Sequence, residues 1–322
     1  MLTTNIIILI LGFIGLVISA DKFVYGAAGL ARNLGISPLI IGLTIVAMGS
    51  SAPEMMVAVS ASLNGTPNTA IGNAIGSNIT NITLVLGLTA LLKPLLVASA
   101  TIRREIPMVL VTTLLAGVVL WDLKLEVYEG VILLLLFFIT ILTLTILALK
   151  RPSNDPLAEE HNDEVPEGVP TWKAIAWLVF GMIALPISSS YLVDSAVVIA
   201  QYFGMSDLVI GLTIIAIGTS LPELAASITG VLKGEDDLAI GNIIGSNIFN
   251  VLAVLSLPGI LAPGMIDPAI ISRDFYYMLG ATIVMLLMAM SFRGNPGRIT
   301  RIEGGILLAG FVAYQFIVFN SI

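Results

Sequence analysis

The sequence predicts an all-α integral membrane protein with ten transmembrane helices in two inverted five-helix repeats. Three observations lead to this fold class: an apolar composition, ten apolar stretches of membrane-spanning length, and a motif that occurs twice. Of the 322 residues, 57% are hydrophobic and 11% are charged, and the mean hydropathy is +1.03. A soluble domain is about one quarter charged. Because no internal core can hide so much apolar surface, the lipid bilayer must cover the rest.

The ten predicted spans follow from the length of each apolar stretch. A transmembrane helix needs about 20 mostly apolar residues. The first stretch has no basic leader region, so we expect it to be retained as a helix and not cleaved as a signal. The spans are predicted at 4–31, 36–63, 68–93, 105–122, 127–149, 172–202, 206–232, 237–262, 274–292 and 302–320.

The distribution of basic residues predicts the orientation in the membrane. Eleven Lys and Arg residues follow the odd-numbered spans, whereas Lys124 and Arg273 lie on the opposite side. Because basic loops stay in the cytoplasm, both termini are expected to be non-cytoplasmic. The segment 150–171 is then an acidic cytoplasmic linker that tethers the two halves.

Several classes of function are excluded by what the sequence lacks. It has no cysteine, and its one histidine, His161, lies in the acidic linker. Thiolate chemistry, disulfides and histidine catalysis inside the membrane are therefore excluded. No HExxH or GxSxG motif is present, so we do not expect an enzyme. Neither a cofactor, nor a nucleic acid, nor an obligatory protein partner is indicated.

A long internal repeat divides the chain into two halves. Residues 39–54, LIIGLTIVAMGSSAPE, match residues 208–223, LVIGLTIIAIGTSLPE, and AIGNAIGSNITN (70–81) matches AIGNIIGSNIFN (239–250), at a constant offset of 169 residues. The repeats are 1–149, with its motif at 42–81, and 172–322, with its motif at 211–250. Because each repeat has five spans, the second enters the membrane inverted, an architecture of secondary transporters. Some channels also use inverted repeats, so a channel remains an alternative.

Glu54 and Glu223 are the central residues of the repeated motif. Each lies in the middle of a predicted span, and neither motif contains a Lys or Arg. A carboxylate at the bilayer centre costs about 2.5–3.5 kcal/mol on insertion scales. A bound cation is the natural partner for two such groups.

Oxygen atoms suited to a cation surround each glutamate in the sequence. Pro53 and Pro222 are expected to kink their helices and to free the backbone carbonyls of Gly49 and Gly218. The glycine pairs of the GSN segments should let that helix approach the preceding one closely, bringing asparagine oxygens to the glutamates. Carboxyl, hydroxyl and amide oxygens are the ligands that Ca²⁺ prefers. The side chains concerned are Ser50, Ser51, Ser77, Asn78, Asn81, Thr219, Ser220, Ser246, Asn247 and Asn250.

Each of these features also has a purely structural interpretation. Glycine pairs are mostly packing motifs, membrane Ser and Thr residues usually bond their own helix, and a single buried glutamate can be a structural hydrogen-bonding group. Duplication of the whole constellation favours the functional interpretation. Asp21 and Lys22 lie within the first span without counterparts in the second copy, as does Asp194. We treat these three as structural, with Lys22 pairing either with Asp21 or with a glutamate.

The paired G-[ST]-S-x-P-E and G-S-N-I-x-N segments resemble the α-repeats of the cation/calcium exchanger superfamily, and most of all the prokaryotic sodium/calcium exchangers of the YrbG-like branch. The resemblance covers nearly the whole chain. It implies four ion sites between the second, third, seventh and eighth helices, a prokaryotic inner membrane location, and exchange of three Na⁺ for one Ca²⁺ as the first and sixth helices slide. The implied ligands are Glu54, Glu223, Ser50, Ser51, Ser77, Asn81, Thr219, Ser220, Ser246, Asn250 and the carbonyls of Ala47 and Ala216.

One residue departs from the family pattern. Asn250 stands where well-known sodium/calcium exchangers carry Asp, so the site holds two formal negative charges and not three. Two charges balance one Ca²⁺ but leave three Na⁺ with one positive charge in excess. Stoichiometry and potassium involvement therefore stay open. A proton/calcium antiporter is the alternative within the transporter class, and a cation channel is the alternative from another class.

Overall fold

The computed structural model describes residues 2–97, 99–149, 168–204, 214, 216–290 and 297–320. Within these ranges, seven helices are long and apolar enough to cross a membrane, and one bent pair makes an eighth candidate. The seven are α1 (Leu2–Leu34), α4 (Pro67–Leu92), α7 (Val127–Leu149), α8 (Thr171–Tyr202), α11 (Asp236–Leu261), α12 (Ile270–Ala289) and α13 (Arg301–Asn320). The bent pair is α2 (Pro38–Ser50) and α3 (Ala52–Leu63), which meet at 43°.

The remaining elements are short. They are the helices α5 (Ser99–Arg103), α6 (Glu105–Leu120), α9 (Ala216–Gly218) and α10 (Leu221–Leu232), and the strands β1 (Leu95–Val97), β2 (Lys124–Leu125), β3 (Gly264–Met265) and β4 (Gly297–Ile299). The predicted acidic linker and the start of the predicted seventh span lie largely outside the described residues. The sequence did not predict the strands.

Two helices form the centre of the molecule. The apolar stretch of α11 is 100% buried and that of α4 is 72% buried, whereas those of α1, α7 and α8 are 17–22% buried. The exposed faces of the outer helices carry side chains such as Leu11, Phe13 and Phe138. Apolar side chains exposed on this scale match a lipid boundary. The motif segments of both repeats thus lie in or beside the protein core, away from lipid.

Equivalent residues of the two repeats touch each other at the centre. The Asn78 side chain donates to the backbone carbonyl of Asn247 at 3.1 Å, and the Thr113 and Thr282 hydroxyls lie 3.5 Å apart. Each pair is separated by 169 residues, which is the offset of the sequence repeat. The strands also pair between repeats, β1 with β4 and β2 with β3. Such contacts between equivalent residues are expected where two halves are related by a two-fold axis.

Many basic residues gather at one end of the molecule, which we call the basic end. Arg32 pairs with Glu235 at 2.8 Å, and Lys93 pairs with Asp236 at 3.0 Å. Arg301 donates to the carbonyl of Leu92 at 3.1 Å. These residues belong to the group that the sequence assigned to one side of the membrane.

The charged pair inside the first span, Asp21 and Lys22, has a third partner from the second repeat. Asp21 pairs with Lys22 at 3.0 Å and with Lys233 of the loop after α10 at 2.6 Å. Lys22 also lies over the Trp177 ring, 5.3 Å from its centroid. Of the two alternatives left open for Lys22, the structure shows the pair with Asp21, and Lys233 is a partner that the sequence did not indicate.

Candidate ion-binding site

The helix break beside the two glutamates occurs at the same position in both repeats. Ser51 (φ −84°, ψ 14°) separates α2 from α3, and Ser220 (φ −89°, ψ 7°) precedes α10. Each following helix has proline in its first turn, where no backbone N–H is needed. The predicted kinks thus exist, two residues before each proline. The carbonyl of Gly218 is not free, however, because Ser189 donates to it at 2.8 Å.

Both glutamates are buried where the two halves meet. Glu54 lies in the first turn of α3 and Glu223 in the first turn of α10, each 0% exposed. The two carboxylates are close enough to interact electrostatically. Among the described residues, no Lys or Arg forms an ion pair with either one. The first-turn amides, which favour negative charge, and neighbouring serine hydroxyls partly offset this burial.

Serine hydroxyls from both repeats converge on Glu223. Ser51 donates to Glu223 Oε1 at 2.7 Å, and Ser246 lies 3.5 Å from the same oxygen. The Ser50 hydroxyl is 3.4 Å from that of Ser246. Ser51 belongs to the first repeat and Glu223 to the second, so the site is shared between the halves.

Glu54 has a different environment from Glu223. Ser77 lies beside its carboxyl group, but neither Glu54 oxygen accepts a well-formed hydrogen bond from the described residues. Ser220, the equivalent of Ser51, is buried and its hydroxyl also lacks a partner there. The two halves of the site are therefore built alike but bonded differently.

Buried polar atoms without a partner concentrate at this one place. In the described part of the chain, ten of the twelve such side-chain atoms belong to the two motifs. Each would cost about 1–3 kcal/mol if nothing bound it. Eight of the ten are oxygens, namely both of Glu54, Oε2 of Glu223, Oγ of Ser220 and Oδ1 of Asn78, Asn81, Asn247 and Asn250.

The chemistry of these oxygens fits a hard cation. No group of three or more His, Cys, Asp or Glu side chains suited to a transition metal occurs among the residues described. Two carboxylates surrounded by neutral hydroxyl and amide oxygens form the kind of donor set that Ca²⁺ and Na⁺ accept.

Asn81 and Asn250 each open a π-helical segment. These segments run Asn81–Leu86 and Asn250–Val254 inside otherwise α-helical spans. In the second, the carbonyl of Asn250 accepts from the amide of Leu255 at 2.9 Å, five residues on. Neither atom of either side-chain amide has a partner in the described chain. π-Segments are frequent at functional sites, and the sequence did not predict them.

The remaining predicted ligands are the backbone carbonyls of Ala47 and Ala216 and the hydroxyl of Thr219. The Ala47 carbonyl already accepts from the Ser51 amide at 3.0 Å, and the Ser50 hydroxyl oxygen lies 3.3 Å from it. Thr219 is half-buried in the break before α10. Ala216 begins α9, directly after residues that lie outside the described ranges.

The glycine pair of the second repeat packs differently from the prediction. A Cβ added at Gly241 would lie 2.4 Å from the Leu39 carbonyl oxygen, and one at Gly245 would lie 2.5 Å from that of Leu43. These glycines therefore let α2 of the first repeat pack closely against α11. The sequence had predicted a close approach of α11 to α10, the helix before it. The reason is geometric, because this face of α11 lies across the boundary between the halves.

Sequence reasoning missed one equivalent pair of residues, Asn73 and Asn242. Asn73 donates to the backbone carbonyl of Glu54 at 3.4 Å, and Asn242 donates to that of Glu223 at 3.3 Å. Both end the repeated AIGN tetrapeptide, three residues before the second glycine of each glycine pair. Their duplication was the signal that could have identified them.

A family model described as "Sodium/calcium exchanger protein" matches residues 4–146 and 173–320. The chain belongs to the sodium/calcium exchanger family. Relatives extend along its whole length. CaxA of Alkalimonas amylolytica, named as a candidate antiporter, is 56% identical over 100% of both chains. Inner membrane protein YrbG of Escherichia coli is 45% identical over 95% of this chain and 94% of its own.

Sodium/calcium exchangers are also found among the more distant relatives. MaX1 of Methanosarcina acetivorans, a sodium/calcium exchanger, is 30% identical over 99% of both chains. A solved structure of the sodium-calcium exchanger NCX_Mj, soaked with Na⁺ and Ca²⁺, is 30% identical with a TM-score of 0.83 and covers 97% of this chain and 98% of that one. As a member of this family, the chain is an ion antiporter of the membrane.

Replacing either glutamate by glutamine should abolish Ca²⁺ binding without unfolding the protein. Glu54→Gln and Glu223→Gln each remove a buried charge that has no cationic side-chain partner, so the melting temperature without Ca²⁺ should not fall. A ligand that binds only the folded state raises stability by about 2.7 kcal/mol at a concentration of 100 Kd. Thermal melting with and without Ca²⁺ in detergent should show this stabilisation in the wild type and its loss in both variants.

Asn68→Ala serves as the control, because Asn68 is exposed and its one hydrogen bond within the described residues is accepted from the Asp267 amide. It should keep the full response to Ca²⁺. An unchanged Ca²⁺ response in both glutamine variants would show that the ion binds elsewhere.

Proposed function

We propose that this protein exchanges Na⁺ for Ca²⁺ across the bacterial inner membrane by alternating access at one shared site. The observation that carries the proposal is the cluster of buried, unpartnered oxygens around Glu54 and Glu223, contributed by both repeats. The ligands proposed are those given by the family resemblance. Na⁺ and Ca²⁺ are the substrates, and no cofactor or obligatory protein partner is part of the proposal.

We infer ten transmembrane helices in two inverted repeats, 1–149 and 172–322, joined by the linker 150–171. The bent pair α2–α3, the 16-residue helix α6 and the 12-residue helix α10 fall where the second, fourth and seventh spans were predicted. Contacts between residues 169 apart support the two-fold relation. The basic end is assigned to the cytoplasm by the positive-inside rule, which leaves both termini outside.

Coupling follows from the cost of moving charge through an apolar barrier. With the site empty, the two carboxylates remain charged and the transition between the two open states is costly. A bound Ca²⁺, or enough Na⁺ to balance the carboxylates, neutralises the core and lets it cross. Exchange results because each transition needs an ion at the same oxygens.

Calcium flux in proteoliposomes tests the proposal. With an outward Na⁺ gradient, the wild type should take up Ca²⁺, and Glu54→Gln and Glu223→Gln should not. A matched proton gradient without Na⁺ should drive no uptake. Uptake driven only by protons would instead establish a proton/calcium antiporter, and Ca²⁺ entry that needs no counter-ion would establish a channel.

The charge of the site predicts its stoichiometry. Because two carboxylates face the ions and Asn250 is neutral, a neutral core holds either one Ca²⁺ or two Na⁺, so we expect about two Na⁺ per Ca²⁺. Asn250→Asp adds a third carboxylate and should raise the coupling ratio towards three. Equilibrium Ca²⁺ accumulation at graded Na⁺ gradients and fixed membrane potential measures the ratio. Equal ratios in the two proteins would refute the charge argument.

A further inference from the structure

We propose that Asn242 is a positioning residue that sets the geometry of the second half of the site. Asn242 is 0% exposed and bonds three elements together. Its amide nitrogen donates to the Glu223 carbonyl at 3.3 Å and to the Ser227 hydroxyl at 3.0 Å. Its amide oxygen accepts from the Ser50 hydroxyl at 3.0 Å. This inference rests on the proposed ion site.

The bond from Ser50 has a consequence for ion binding. A hydroxyl has one proton and two lone pairs. When Ser50 gives its proton to Asn242, its lone pairs can turn towards a cation. Asn242 thereby holds Ser50 as an acceptor and fixes the backbone at Glu223, so that an incoming ion meets oxygens already oriented.

The first repeat lacks the full network. Asn73, the equivalent of Asn242, is half-buried and makes one bond, at 3.4 Å to the Glu54 carbonyl. The counterpart of Ser227 is Ala58, which has no hydroxyl. Asn73→Ala is therefore a matched control that removes the same side chain from a position where it makes fewer hydrogen bonds.

Asn242→Ala should raise the half-saturating Ca²⁺ concentration about tenfold, because several buried hydrogen bonds are lost. The maximal rate of Na⁺-driven exchange should change far less. Asn73→Ala should raise half-saturation no more than about twofold, since a single long bond is lost. Ser227→Ala, a milder change, should give an intermediate rise and covers the case in which Asn242→Ala does not fold.

Equal effects in Asn242→Ala and Asn73→Ala, or a fall in maximal rate with half-saturation unchanged, would overturn the positioning role. A wild type with no Na⁺-driven flux would instead refute the proposed function. Ca²⁺-dependent melting still reports half-saturation in that case, so the two failures are distinguishable.

A second inference comes from an independent observation at the basic end. We infer that two ion pairs between the repeats form a one-sided latch that favours the state closed at this end. Asp21 pairs with Lys233 at 2.6 Å, and Arg32 pairs with Glu235 at 2.8 Å. Each joins helix α1 of the first repeat to the α10–α11 loop of the second. We call these four residues the latch.

The opposite end has no charged residue at the four equivalent positions. The positions 169 residues away from Asp21 and Lys233 hold Ser190 and Asn64. Those equivalent to Arg32 and Glu235 hold Gln201 and Thr66. In an inverted repeat, the two open states are related by exchanging the roles of the halves. An interaction present at one end only must therefore make the two states unequal in energy.

The exposure of the four latch residues and of their four counterparts shows which end of the protein is closed. All four latch residues are buried or half-buried, and Glu235 is only 7% exposed. Their counterparts Asn64, Thr66, Ser190 and Gln201 are all exposed. The structure thus has the latch end covered and the opposite end uncovered, as expected if the latch stabilises this state.

Replacing each latch residue by its own counterpart removes the bias. The variant combines Asp21→Ser, Arg32→Gln, Lys233→Asn and Glu235→Thr. Apparent affinity at a face scales with the fraction of protein open to it. If that fraction rises from about one tenth to one half at the basic end, half-saturating Ca²⁺ there falls about fivefold and rises about twofold at the opposite face.

Half-saturation is measured separately at the two faces of uniformly oriented proteoliposomes. Shifts in opposite directions support the latch, because general damage to the site would weaken binding at both faces. Shifts in the same direction, or none, would overturn it. The reverse construction, Asn64→Lys with Ser190→Asp and Thr66→Glu with Gln201→Arg, should bias the equilibrium the other way.

A labelling readout does not depend on transport. The chain has no cysteine, so Thr66→Cys gives a single thiol at the uncovered end. Because the equivalent position, Glu235, is covered when its own end is closed, loss of the latch should slow labelling of this thiol. Unchanged labelling would overturn the latch even if the wild type were not an exchanger.

Discussion

The structure depends on the burial of two carboxylates that no basic side chain of the described chain neutralises. Glu54 and Glu223 lie close together at full burial, and an isolated charge in such surroundings is costly. A purely structural pair would be expected to recruit Lys or Arg, and this chain has both at its basic end. Instead, the fold surrounds the carboxylates with neutral oxygens. These oxygens can help to coordinate a cation, but they cannot neutralise the carboxylates in its place.

Duplication explains why the site is at the centre, and its imperfections explain why the halves differ. If the halves are inverted repeats, as we propose, equivalent residues near the two-fold axis meet, as Asn78 and Asn247 do. A perfectly symmetric protein would have two open states of equal energy. Substitutions that break the repeat make the two halves unequal. Ala58 opposite Ser227 changes the hydrogen bonding beside the site, and Ser190 opposite Asp21 changes the ion pairing at the two ends. The functional differences are thus in the unmatched residues, whereas the shared chemistry is in the matched ones.

The sequence predicted the parts of the structure that depend on local chemistry. Proline at positions 53 and 222 predicted the two breaks, and apolar length predicted the long spans now seen, such as α1 and α8. It did not predict features that depend on neighbours far along the chain. The Ser189 bond to Gly218 and the Lys233 partner of Asp21 both arise from packing between distant segments. Nor did the sequence predict the π-segments at Asn81 and Asn250. Single-sequence periodicity carries no information about such contacts.

In the proposed site, neutral ligands around a fixed pair of carboxylates would also set how Na⁺ and Ca²⁺ compete. As proposed ligands, the asparagine and serine oxygens would not change the net charge of the site, so the count of carboxylates alone would decide how many positive charges neutralise it. A third carboxylate would favour divalent over monovalent occupancy and retain Ca²⁺ more firmly, which slows its release. Under the proposed exchange, two carboxylates and a neutral Asn250 would hold Ca²⁺ less firmly than three carboxylates, which favours its displacement by Na⁺. The amide at this position is therefore consistent with a site built for turnover and not for storage.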